Sequence, residues 1–219
     1  MILTKHTITI VLILVALGLK SQKKDYYLAV KGGVWAVRGE TSSDNLEDLS
    51  LGSNFALMHG VPLKDNRFEL NTEFDYGIAD INREVRVTNA SRSTYRATVQ
   101  QTAFSLGLRT YLNAPSGSTR KTARLVNLYG AVFSGMLLNS VKSNYNLLGE
   151  NDFKYQGGRH KTFFVGVEAG LLYNTDGHFN FGLYVNLRHG FDDYWDGLKG
   201  QSGSNDFVAR SGISFSYLL

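Results

Sequence analysis

His189 stands just before Asp192 and Asp193, and Ser202 and Ser204 follow in the same polar stretch. A hydroxyl nucleophile, an imidazole base and an orienting carboxylate make an acyl-transfer site when all three lie within hydrogen-bond reach. The rest of the chain adds nothing to that set. It has no Gly-x-Ser-x-Gly elbow and no His-x-Ser pair, and its other histidines are His6, His59, His160 and His178. A lipid-modifying enzyme is therefore the weakest reading, and no catalytic residue is assigned. "FDDYWDG" (191–197) also groups Asp192, Asp193 and Asp196, oxygen ligands of the kind calcium takes, but without the alternating order and distal Glu of an EF-hand. "NLLGENDF" (146–153) is similar. Both read as solvated loops, and no metal or cofactor is expected.

Charges set inside apolar runs say more. In "TFFVGVEAGLLYNTDGHFNFGLYVNLRHG" (162–190), Glu168 and Arg188 sit among large apolar residues, where an unpaired charge costs several kcal/mol to desolvate. Period two separates the faces. Phe163, Val165, Val167, Ala169, Leu171 and Tyr173 share one, and Thr162, Phe164, Gly166, Glu168, Gly170 and Leu172 the other. Arg188 likewise falls with Asn180, Gly182, Tyr184 and Asn186. Alternate residues of a strand face opposite sides, so each charge lies on a mixed polar face whose reverse is apolar.

Eight such runs lie at about 25–38, 48–61, 67–79, 95–112, 123–139, 161–173, 179–190 and 207–219. The fifth is apolar on both parities and cannot be oriented. Short connections at 62–66, 113–121 and 174–178 alternate with longer polar ones at 39–47, 80–94, 140–160 and 191–206. An even strand number with short turns at one end and long loops at the other predicts an all-β, eight-stranded antiparallel up-and-down transmembrane barrel. Phe68, Tyr111, Tyr173, Phe179 and Tyr217 near the short turns, and Trp35, Tyr76 and Tyr95 toward the other end, are expected to form interfacial belts. The apolar face then meets lipid and the mixed face lines the lumen. Lumenal Lys31, Arg109, Arg188 and Arg210 balance Glu69, Glu73, Asp75 and Glu168. Eight strands leave room for side chains and little else, so a plugged interior with paired charges is expected.

The ends and composition agree with export. Lys5 and His6 precede the apolar run Ile8–Leu19, which "KSQKKD" follows. That is the form of a cleaved signal peptide, and the run is short of the roughly 20 residues a membrane helix needs. Residues 1–21 are read as the signal and 22–219 as one barrel domain. The chain has no Cys, which removes disulfides and thiolate metal sites, and it has 23 Gly, 2 Pro and 25 Tyr plus Phe, which suits strands. Without the signal it carries 21 basic and 19 acidic residues, too even a balance for nucleic-acid binding.

"YYLAVKGGVWAVRG", the hairpin "NFALMHGVPLKDNRFELNTEFDYG", "FFVGVEAGLLYN" and the closing "ISFSYLL" together span nearly all of residues 22–219. In these the chain resembles the eight-stranded OmpA/OmpX-like outer-membrane barrels, especially the outer membrane protein beta-barrel domain group common in Bacteroidetes, which includes PorT-like proteins. It departs from them at Leu219, where such barrels usually end in an aromatic residue. The resemblance implies a monomer in the outer membrane, in contact with its lipid and lipopolysaccharide. It further implies an envelope or secretion-system protein as partner through the loops. Tyr145, Phe153, Tyr155, Tyr194 and Trp195 are the candidate loop contacts. The soluble alternative is a lipocalin-like carrier of a small apolar ligand, suggested by Gly33-x-Trp35 in the first strand. It would need an apolar lumen and a polar exterior.

Overall fold

A computed structural model describes residues 26–38, 50–63, 67–88, 91–112, 126–143, 154–155, 158–175, 178–191, 198–199 and 207–219. The strands are β1 (Tyr27–Arg38), β2 (Ser50–Pro62), β3 (Phe68–Thr88), β4 (Ser91–Tyr111), β5 (Val126–Ser143), β6 (Lys154–Tyr155), β7 (Gly158–Asn174), β8 (Phe179–Gly190), β9 (Leu198–Lys199) and β10 (Phe207–Leu218). Among the described residues, eight strands close in the order β1-β2-β3-β4-β5-β7-β8-β10, and β10 returns to β1 from Tyr27↔Leu218 to Arg38↔Phe207. Every neighbouring pair is antiparallel. The wall thus has no open edge, as hydrocarbon requires of a spanning sheet.

Polarity is inverted relative to a soluble protein. Leu57, Val132, Val167, Leu183, Val185 and Ile213 are outward and more than half exposed, whereas Lys31, Asp75, Arg109, Arg188 and Arg210 are buried in the lumen. A lipocalin-like carrier is excluded by this arrangement, because its ligand cavity would have to be where these charges are. The fifth strand, with both parities apolar, is oriented by its neighbours: Asn127, Tyr129, Leu137, Asn139 and Val141 are buried, while Leu128, Val132 and Met136 face out.

Three of the expected belt aromatics are elsewhere. Trp35, Tyr95 and Tyr111 are inside, at 1%, 0% and 4% exposure. Their parity is that of the lumenal charges, and in a strand parity decides the face ahead of any residue preference. Tyr76, Tyr173, Phe179 and Tyr217 do face outward. On the outer wall near the short turns, the Phe179 ring lies 5.2 Å from Phe215 and 5.0 Å from Tyr217.

Three segments expected as loops, 80–94, 140–160 and 191–206, contain strand. β3 and β4 each run 21 residues, about twice the 9–11 that cross a bilayer. β2 follows β3 only as far as Gly52↔Ala79 and β5 follows β4 only as far as Ala97↔Ser143, yet β3 and β4 stay paired to Thr88↔Ser91. A two-stranded ribbon therefore rises from the wall. Its register is already set inside the barrel, so each added pair closes no new loop, and Val85, Val87 and Thr88 favour extended backbone. In the other two, β6 pairs with β9 through Lys154↔Lys199 and Tyr155↔Leu198. It joins the connections that follow β5 and β8.

Candidate functional site

The lumen gathers charged side chains from six strands. β3 supplies Glu69, Glu73 and Asp75 on one parity, and the other five charges come one each from β1 (Lys31), β4 (Arg109), β7 (Glu168), β8 (Arg188) and β10 (Arg210). All eight are at most 9% exposed, and they form one alternating ladder. Glu69 lies 3.8 Å from Arg109, which lies 3.2 Å from Glu168. Lys31 bridges Glu168 at 2.8 Å and Glu73 at 2.6 Å. Arg188 bridges Glu73 at 3.0 Å and Asp75 at 2.7 Å, and Arg210 ends the series 2.7 Å from Asp75. Each interior charge of the ladder has an opposite charge on both sides. That geometry lets a low-dielectric interior hold ions whose desolvation would otherwise exceed their attraction.

Neutral polar groups satisfy much of the remainder. Tyr27 and Tyr111 donate to Glu69, each at 2.9 Å, while Tyr129 and Asn186 donate to Glu168, each at 3.1 Å. Gln101 accepts from Arg210 at 3.4 Å. The guanidiniums also lie on rings, Arg109 4.0 Å from Tyr129 and Arg188 4.8 Å from Phe164. These tyrosines and amides are not among the sequence candidates, although they share the parity of the charges. Tyr27 packs on Gly60, its cross-strand partner on β2, where a Cβ would fall 1.9 Å from the ring. Bare backbone at that point lets the ring lie flat along the wall.

Toward the long-loop end the lumen turns apolar. Trp35, Ile81, Tyr95, Leu137, Phe164 and Val208 belong to one buried cluster, with the indole of Trp35 donating to the carbonyl of Ile78 at 2.9 Å. Between the side chains of the ladder lies a cavity of about 20 Å³, lined in part by Lys31, Ser105, Arg109 and Glu168. That is room for a single water. An ion entering this lumen would have to separate existing pairs and then cross an apolar layer.

Of the candidate loop contacts, Tyr155 lies in β6, and Tyr145, Phe153, Tyr194 and Trp195 lie outside the described residues, as do Asp192, Asp193, Ser202, Ser204 and residues 1–21. His189 is at the long-loop end of β8, its ring 4.7 Å from Phe207 and 5.8 Å from Phe191.

No protein-family model and no curated protein matches the chain. Solved structures do. The chain is similar to Neisserial surface protein A, with a TM-score of 0.55 over 89% of this chain and 97% of that one at 10% identity. It is also similar to the outer membrane protein OprG of Pseudomonas aeruginosa, with a TM-score of 0.47, 15% identity and coverage of 90% and 97%. Ail, the attachment invasion locus protein of Yersinia pestis, gives a TM-score of 0.45 at 12% identity over 90% and 100%. At these identities the likeness concerns the fold, and it is the first of the three that carries it. The polarity of the wall adds the location: a closed barrel, apolar outside and charged inside, is the architecture of an outer-membrane protein. The chain is an integral outer-membrane β-barrel.

Proposed function

We propose that this barrel is a non-conducting scaffold that works through its loop end, not a pore and not an enzyme. The observation that supports this is the alternating ladder from Glu69 to Arg210, which fills the lumen with paired charges below an apolar layer. A wall this costly to fill with charge suits a rigid frame, and function on rigid frames concentrates in the connections. Among the described residues, the parts available for contact are the β3–β4 ribbon and the two connections clasped by β6 and β9. The partner is an envelope or secretion-system protein met through these connections, and residues 1–21 act as a cleaved export signal. The protein acts as a monomer without a cofactor.

The test is electrical. Purified protein that shifts on a denaturing gel when heated, and so is folded, should give no large steady conductance in planar bilayers. Persistent openings on the nanosiemens scale would overturn the plugged reading while leaving the barrel itself intact.

A further inference from the structure

The wall closes where its first and last strands meet. Among the described residues, every other pair of wall neighbours joins strands that follow one another in the chain, whereas β1 and β10 bring its two ends together. Loop-closure entropy grows with the length enclosed, so this seam is the pairing that chain entropy opposes most. Side chains hold little of its middle. On the lumenal face Gly33 stands opposite Gly212. A Cβ on Gly33 would run into the carbonyl of Ser211, and one on Gly212 into that of Gly32. The two backbones therefore touch with no side chain packed between them. One step toward the long loops, Arg210 lies 5.8 Å from the ring of its partner Trp35, near the outer limit of such a contact.

Charge alone would push the seam apart. β1, β10 and β8 are consecutive in the wall, point Lys31, Arg210 and Arg188 into the lumen, and contain no acidic residue. Like charges on neighbouring strands repel. Their counterions come from across the lumen, on β3. Glu73 bridges Lys31 at 2.6 Å and Arg188 at 3.0 Å, and Asp75 bridges Arg188 and Arg210, each at 2.7 Å. Two carboxylates of one strand thus reach all three strands at the seam, and Glu168 of β7 adds a second partner for Lys31. A neutral link spans the seam as well. Asn54, Gly33, Gly212 and Tyr184 are successive cross-strand neighbours on β2, β1, β10 and β8. Asn54 Nδ2 donates to the Tyr184 hydroxyl at 3.1 Å, over two glycines whose bare backbone leaves the path open.

We infer that Glu73, Asp75 and the Asn54–Tyr184 link form a latch that draws β1, β10 and β8 together and holds the barrel shut at its seam. They are positioning residues for closure. The latch goes beyond the plug, because a lumen can be filled with paired charges none of which reaches the strands at the seam.

Hydrogen–deuterium exchange of the full-length protein in detergent micelles tests it on D75N/R210Q. That variant cuts the tether from β3 to β10 without changing net charge, and Arg188 keeps Glu73. Backbone amides of β1 and β10 should exchange roughly tenfold faster, the factor that losing a hydrogen bond to a charged group implies, while those of β4 and β5 stay unchanged. A disulfide across the seam should cancel the effect. Val34 and Ser211 are cross-strand partners on the outer face, cross-strand Cα separations suit a disulfide, and the chain has no Cys of its own. With V34C/S211C oxidised, D75N/R210Q should leave exchange at the seam as it is in oxidised V34C/S211C alone. An oxidised L106C/S134C pair between β4 and β5 should give no such protection. Faster exchange spread evenly over the barrel, no change at the seam, or equal protection by both disulfides would each overturn the latch. Should D75N/R210Q lose its heat-dependent gel shift, the seam disulfide must restore the shift and the control disulfide must not; any other result overturns the latch too. Neither readout involves conductance, so the plugged reading stands or falls separately.

Discussion

At the scale of single residues, the lumen turns on Glu168. It accepts from Lys31 at 2.8 and 2.9 Å, from Arg109 at 3.2 Å, and from Tyr129 and Asn186. Glu168→Gln keeps the shape and removes the only charge between two buried cations, so it should destabilise the barrel by roughly 3–5 kcal/mol, the cost of breaking a buried pair from one side. Glu69 stands at the end of the ladder, and Glu69→Gln leaves Arg109 its shorter contact with Glu168. It should cost roughly 1.5–3 kcal/mol, the range of hydrogen bonds to a charged group. Urea titration of vesicle-reconstituted protein, read by gel shift, compares the two. Equal losses would mean that the ladder does not act as a connected series. The faces of all eight charges could be read from period two alone, because a charge in an apolar strand identifies its own parity. Trp35, Tyr95 and Tyr111 could be read the same way. The belt assignment failed for them because it weighed residue type and position along the strand above parity. The apolar cluster around Trp35 was hidden for a related reason: apolar residues at inward positions look like lipid-facing ones, and they leave β5 without a polar face to orient it.

At the scale of elements, the β3–β4 ribbon divides sharply between wall and projection. Ile81 and Tyr95 still face inward and belong to the apolar cluster that closes the lumen, whereas β2 and β5 no longer accompany the strands beyond Ala79 and Ala97. Replacing residues 84–94 with Asn-Gly, a two-residue connection suited to a tight hairpin, keeps Ile81, Tyr95 and the Arg83↔Tyr95 pair. The shortened protein should refold and keep its heat-dependent gel shift. Loss of that shift would mean that the projecting ladder, in place of the wall, nucleates the hairpin. The ribbon reads as a loop in sequence although Ile81, Val85 and Val87 alternate with Asp80, Asn82, Glu84 and Arg86, because Arg83 breaks the apolar parity and Arg92, Ser93 and Thr94 are polar on both parities. A backbone ladder needs only a partner in register, so the pairing from Arg83↔Tyr95 to Thr88↔Ser91 does not require an unbroken apolar face.

At the scale of the whole molecule, stability depends on a solvent with two faces. Leu183 is near the middle of β8, 59% exposed, and its cross-strand neighbours are Ile213 and Leu171. All three point away from a lumen that on the same strand holds Tyr184 and Asn186. In water such an exterior would drive aggregation, and in a bilayer it is the matched surface. Leu183→Arg places a charge on that surface with no ladder to receive it, and near the bilayer midplane it should cost roughly 2–4 kcal/mol. The same substitution on a barrel meant for water would be almost neutral, since an exposed outward position tolerates an arginine. Reversible urea unfolding in vesicles therefore distinguishes the two solvents at one residue. A loss in that range would show that lipid covers β8 at its centre. A loss within a few tenths of a kcal/mol would mean that this part of the wall is wetted, and the facing of β7 and β10, which share its register, would have to be reassigned with it.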